Sequence, residues 1–140
     1  MLIDDDAFYR LVLHHSLQVL GLTAITLVED GREALKMLAT RTSPPDYLIC
    51  DVYMPNMDGF EFLEFLEKTR YRGKIILISG ASPEMLTVAR DLAVAGGLNV
   101  VAVLLKPVSQ NLLAEVMEID ALRPGPLGSY PDALTTPLSA

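Results

Sequence analysis

Five side chains in this sequence could share one piece of chemistry. Asp4 and Asp5 follow the apolar run Met1-Leu2-Ile3, and Asp51 closes the run Tyr47-Leu48-Ile49-Cys50. Ser79 ends KIILIS, and Lys106 follows VVAVLL. Taken singly, each has an ordinary reading: a solvated turn, a helix cap, a strand exit. Together they are three carboxylates, a hydroxyl and an ammonium, each placed where an apolar run gives out. Carboxylates held a few ångströms apart repel, and their pKa values rise unless a cation is present. A hard divalent ion such as Mg²⁺, or Mn²⁺, would neutralise them through oxygen ligands while keeping several waters. Such an ion suits phosphoryl chemistry, because it bridges protein and phosphate oxygens. The hydroxyl and the ammonium would then serve the other phosphoryl oxygens. Asp51 is left as the nucleophile, since carboxylates form aspartyl-phosphates. The turn MPNMDG that follows lets a backbone carbonyl near Tyr53 face the metal.

These groups act together only if the elements beneath them align. Five short apolar runs are present: Met1–Ile3, Thr23–Val28, Tyr47–Cys50, Lys74–Ser79 and Val100–Leu105. They read as strands covered on both faces, the pattern of a parallel sheet. Helix-length segments lie between them. Asp6 is placed to cap a helix through about Leu20, with Gly21 at its end. A second helix runs from Gly31 to Thr40 and is closed by SPP at Ser43–Pro45. Asp58 is placed to cap GFEFLEFLEKT, with Phe62, Phe65 and Leu66 on one stripe. Ser82-Pro83 starts a fourth helix, and a fifth begins near Ser109 and runs to about Leu122. The alternation predicts one α/β domain, a doubly wound five-stranded parallel sheet with right-handed crossovers. Ligands of such sheets gather at the carboxyl ends of the strands, which is where the five groups lie.

The 140 residues suffice for one domain with a real core. We expect it over residues 1–121, with the Pro- and Gly-rich stretch 122–140 as a tail or linker. Three residues make a short central strand, so the native chain is expected to start earlier. Hydrophobic residues reach 51%, but the apolar runs are short and broken by charge, which excludes a membrane span. An acidic start argues against a signal peptide, and the cytoplasm is the expected compartment. Cys50 is the only cysteine, which excludes an internal disulfide and a cysteine metal cluster. The net charge of −7 and the scattered basic residues argue against direct nucleic-acid binding.

The sequence resembles response-regulator receiver domains from about Met1 to Asp120. IDDDAFYR, ICDVYMPNMDGFEFL, ILISGAS and LLKPVS carry the likeness, in the family's order and separations. The resemblance implies a (βα)5 flavodoxin-like fold with strand order 2-1-3-4-5. It implies that Asp51 accepts a phosphoryl group from a sensor histidine kinase or a phosphotransfer protein. Asp4, Asp5, Asp51 and the Tyr53 carbonyl would hold Mg²⁺, Ser79 would be the switch hydroxyl and Lys106 the phosphate-binding lysine. Asp6 is then the spare acid and a helix cap, with Arg10 five residues after Asp5 as in the family. The resemblance further implies a possible homodimer through the helix 4/helix 5 face. One departure is Val103, where the family often has Tyr or Phe three residues before the lysine. A switch here would act through the backbone and the fourth helix rather than a turning ring. The bulk of Tyr53 and the small Ala81 imply slow to moderate self-dephosphorylation. The segment from Tyr71 to Ser109 is also similar to receivers that precede EAL-type cyclic-di-GMP phosphodiesterase domains.

Other groups read as structure. His14 and His15 have no acidic or cysteine partner at ligand spacing, so one is half-buried and the other a surface residue. Cys50 is an inert core thiol. Met54 and Met57 fill gaps, and Phe60, Phe62 and Phe65 are helix packing. Two competing functions remain: a receiver-like scaffold that works without phosphorylation, and a haloacid-dehalogenase-type phosphatase. The phosphatase needs a second aspartate two residues after the first, where this chain has Tyr53.

Overall fold

The computed structural model describes residues 1–54, 57, 59–80 and 82–119. Strands and helices alternate: β1 (Leu2–Ile3), α1 (Ala7–Val19), β2 (Leu27–Val28), α2 (Gly31–Ala39), β3 (Tyr47–Asp51), α3 (Gly59–Lys68), β4 (Lys74–Ser79), α4 (Pro83–Ala95), β5 (Asn99–Leu105) and α5 (Gln110–Val116). All four strand pairings are parallel, in the order β2-β1-β3-β4-β5. The expected topology is therefore present. Because side chains alternate across a strand, each central strand feeds two cores. Ile3, Cys50 and Leu77 face a core shared with α2, α3 and α4, while Leu2, Ile49 and Ile76 face one shared with α1 and α5.

Helix starts follow the caps read from sequence. Asp6 accepts from Tyr9 N at 3.1 Å, Ser82 from Met85 N at 3.1 Å and Ser109 from Leu112 N at 3.0 Å. Asp30, not anticipated, caps α2 through Glu33 N. The cap assigned to Asp58 and the segment 122–140 lie outside the described residues, as does Ala81.

Four expectations need correction. β2 is two residues, not six: it is an edge strand whose one partner, β1, offers only Leu2 and Ile3 to pair. β5 is not covered on both faces; it forms the opposite edge, and Val101 and Leu105 are exposed. Its register shifts opposite Ile75 and Ile76, so Val101 stands out as an extra residue. α5 ends at Val116 rather than near Leu122, because Glu118 N bonds Glu115 O and Ile119 N bonds Ala114 O. Glu118 supplies the left-handed backbone, φ 55°, that this closure requires. Lastly, Phe62 and Leu66 are buried but Phe65 is 39% exposed, with the Lys68 ammonium 5.4 Å from its ring centre.

One glycine sets the geometry behind the site. Gly59 N donates to Val52 O at 2.7 Å, and a Cβ at Gly59 would lie 2.5 Å from Val52 Cα. Only glycine lets α3 begin this close to the strand exit that follows Asp51. Met54 and Met57 are buried in the adjoining core, filling space as expected.

Candidate functional site

The parallel sheet brings the carboxyl ends of β1, β3, β4 and β5 to one edge, and the five sequence-predicted residues lie there. Asp4 is fully buried and Asp51 is 4% exposed, whereas Asp5 is open to solvent. Carboxylate oxygens of Asp4, Asp5 and Asp51 lie within 4.8 Å of one another. Lys106 Nζ reaches over this cluster from β5. It donates to Asp51 Oδ2 at 3.0 Å and forms an ion pair with Asp4 Oδ2 at 2.8 Å.

Backbone groups fix both buried acids. Asp6 N donates to Asp4 Oδ1 at 2.9 Å, and Tyr53 N donates to Asp51 Oδ1 at 3.0 Å. Arg10 Nη1 donates to the Asp4 carbonyl at 2.6 Å, so the residue noted for its spacing braces the acidic turn. Ser79 is fully buried at the end of β4, and its carbonyl accepts from Lys106 N at 3.0 Å. Asp6 serves as the α1 cap and is not one of the three clustered carboxylates. His14 is half-buried and His15 exposed, on α1. Tyr53 keeps half its surface in solvent beside Asp51.

The electrostatics follow from burial. Burial raises the Asp51 carboxyl to about 6, and the charge of Asp4 adds to that, while Tyr53 N–H and Lys106 work against it. Burial pulls the Lys106 ammonium down, but Asp4 and Asp51 outweigh it and its pKa stands above the ordinary lysine value. Burial, with the nearby Asp51 and Asp4 charges, also raises the Cys50 thiol, which keeps it protonated and inert.

The charge count carries a chemical consequence. Three ionised carboxylates and one ammonium leave a net charge of −2, which a divalent cation cancels. Two oxygens on one Mg²⁺, at about 2.1 Å each, stand at most about 4.2 Å apart. The 4.8 Å outer separation is thus within a small adjustment of joint ligation. Asp4 Oδ2 is buried against the Lys106 ammonium, 2.8 Å away, and a metal would share or take over that oxygen. The donor set fits a hard oxygen-seeking ion.

Sequence reading missed one participant. Tyr9, on the first turn of α1, lies with its ring centre 4.5 Å from Lys106 Nζ, and its hydroxyl accepts from Val108 N at 2.6 Å. Its position three residues after the Asp6 cap places it at the sheet edge, but nothing in the sequence brings α1 against the β5–α5 connection.

Comparison with known proteins agrees with this architecture. The family model for the response regulator receiver domain matches residues 1–118. "Regulator of RpoS" from Escherichia coli K12 is 35% identical over 118 residues, 84% of this chain and 33% of that protein. "DNA-binding transcriptional regulator NtrC" from the same organism is 38% identical over 80 residues, 57% of this chain and 16% of that protein. The chain thus spans about a third or less of these curated relatives. Among solved structures, a response regulator from Colwellia psychrerythraea superposes with a TM-score of 0.72 at 27% identity, covering 87% of this chain and 94% of that one. The Vibrio cholerae chemotaxis protein CheY4 superposes with a TM-score of 0.66 at 28% identity, covering 84% and 92%.

Proposed function

The chain belongs to the response regulator receiver domain family, and from that premise we propose that Asp51 is its phospho-acceptor, in a receiver unit that spans about residues 1–121. The observation that supports this best is the convergence of Asp4, Asp5 and Asp51 within 4.8 Å, with Lys106 Nζ 3.0 Å from Asp51 Oδ2. Membership of the family removes the haloacid-dehalogenase alternative.

In the proposed reaction an Asp51 carboxylate oxygen attacks phosphorus. The P–N bond of a donor phosphohistidine breaks as the new P–O bond forms, and the imidazole leaves with the bond's electron pair. Asp4 and Asp5, with Asp51 and the Tyr53 carbonyl, would hold Mg²⁺, which supplies charge neutralisation to the transferred group. Lys106 turns from Asp51 toward a phosphoryl oxygen, and Ser79 gives its hydroxyl to another. The Tyr53 N–H keeps the attacking carboxylate in line. These steps change the protein itself, as befits a signalling switch that is modified on its own aspartate.

Val103 pairs with Leu77 and packs part-buried against the α2–α4 core. It has no reach to signal by a ring movement, so phosphorylation shifts the chain after Ser79 and α4 instead. Free and beryllofluoride-treated structures that superpose through residues 79–106 would overturn that. The partners we assign are a histidine kinase or phosphotransfer protein, in the cytoplasm. We assign a second copy to the α4/α5 face, on which Val88 and Leu92 of α4 are exposed. No helix among the described residues is long and apolar enough to cross a membrane.

The test is acetyl-phosphate labelling with Mg²⁺, read by intact mass. One phosphoryl group should appear on the wild type and none on Asp51→Asn. Equal labelling of both would overturn the assignment.

A further inference from the structure

We propose that Tyr9 is a positioning residue for Lys106, its ring seating the ammonium and its hydroxyl holding the loop that carries it; this rests on the reading of Lys106 as the phosphoryl partner. Tyr9 is itself fixed, because its N–H donates to the Asp6 cap. The Lys106 ammonium sits 4.5 Å from its ring centre, closer than the 5.3 Å of Lys74 over Tyr47 and the 5.4 Å of Lys68 over Phe65. Those two ammoniums are ordinary neighbours of a ring. Lys106 is only 15% exposed, and a cation that has lost its water gains more from a ring face.

The hydroxyl adds a second restraint. Val108 N donates to it at 2.6 Å, two residues beyond the lysine, while Lys106 N is tied to the Ser79 carbonyl. The lysine backbone is therefore held on one side by β4 and on the other by α1. The same first turn of α1 also carries Arg10, which braces the Asp4 carbonyl. One helical turn thus fixes both the acidic cluster and the cation set against it.

A neutral seat has a use that a carboxylate lacks. Asp4 and Asp51 hold the ammonium by charge, and both would give up that contact when a metal and a phosphoryl group arrive. The face of Tyr9 competes with neither. A ring attracts a cation across its whole face rather than along one bond. Lys106 can pivot toward a phosphoryl oxygen and keep this support.

The test uses the full chain as wild type, Tyr9→Phe and Tyr9→Leu. The acetyl-phosphate labelling rate at saturating Mg²⁺ should fall about fivefold in Tyr9→Leu and stay within about twofold in Tyr9→Phe, which keeps the ring. By NMR, the Lys106 ε-methylene protons should be shielded by the ring in wild type and Tyr9→Phe, and lose that shielding in Tyr9→Leu. Val108 amide exchange should quicken in both variants, since both lack the hydroxyl. A wild-type labelling rate in Tyr9→Leu, or unmoved Lys106 signals, would overturn the proposal. If Tyr9→Leu does not fold, Tyr9→Met, of similar reach and without a π face, replaces it. Absence of labelling in the wild type would instead sink the reading of Asp51, and the Lys106 and Val108 signals would still decide the role of Tyr9.

Discussion

Lys106 Nζ lies 3.0 Å from Asp51 Oδ2 and 2.8 Å from Asp4 Oδ2, so one ammonium spans the ends of β1 and β3 from its place after β5. The lysine occupies, in charge, part of what a divalent ion would neutralise. Metal and lysine are then rivals for the same oxygens. We expect Lys106→Met to bind Mg²⁺ about tenfold more tightly, yet to label with acetyl phosphate far more slowly. In metal-free buffer the variant should also lose about 2–4 kcal/mol, because two buried carboxylates are left without their cation. Titration with Mg²⁺ and urea unfolding with and without EDTA check both halves.

The raised Asp51 gives a pH dependence with a definite sign. Its carboxyl moves from 3.8 to about 6 in the fold, so the folded state holds this proton more tightly than the unfolded chain. Its contribution to stability is fully present below 3.8 and is lost as pH rises through 6. At about 1.4 kcal/mol per pH unit, the burden at pH 7 is about 1–3 kcal/mol in metal-free protein. Asp51→Asn, which mimics the protonated acid, should therefore be more stable than wild type at pH 7 in EDTA. The advantage should vanish near pH 4. Thermal unfolding midpoints across that range test it; an advantage that persists at pH 4 would mean burial of charge is not the cause.

The candidate site was legible in the sequence wherever its residues sit at a strand exit. Asp4, Asp51, Ser79 and Lys106 each follow an apolar run, and a parallel sheet sends all such exits to one edge. Tyr9 was not legible, because its contacts with Lys106 and Val108 depend on how α1 packs beside the β5–α5 connection. Helix starts were read well because side-chain caps have a composition signal. The end of α5 was not, since Glu118 takes left-handed backbone, φ 55°, at a position where no glycine marks the stop. The short β2 and the exposed β5 escaped notice for a related reason. Apolar runs of edge and central strands look alike until the pairing is known.

Gly59 offers a sharp test of the close approach behind Asp51. An added Cβ would meet Val52 Cα at 2.5 Å and Val52 O at 2.7 Å, and both are backbone atoms that cannot turn aside. Alanine is favoured over glycine within helices by about 1 kcal/mol, so propensity alone predicts a gain from Gly59→Ala. We expect a loss of about 2 kcal/mol in urea denaturation, because overpacking outweighs propensity here. Labelling at Asp51 should slow as well, since the exit of β3 must shift. A stabilised Gly59→Ala would show that the turn yields more easily than these distances allow.

The lifetime of the phosphoryl group should depend on Tyr53. Its N–H fixes Asp51 Oδ1, while the residue itself is half exposed, two positions after the carboxylate. The two parts can be separated, because alanine keeps the N–H and removes the ring. Tyr53→Ala should then label normally but lose its phosphoryl group faster, as water gains a path to the phosphorus. We expect about a threefold to tenfold increase, equivalent to at most about 1.4 kcal/mol of barrier. Tyr53→Phe keeps the shield and should match wild type. The decay of the phosphorylated mass after removal of acetyl phosphate measures all three proteins. An unchanged decay in Tyr53→Ala would mean that the ring does not lie on the water's path.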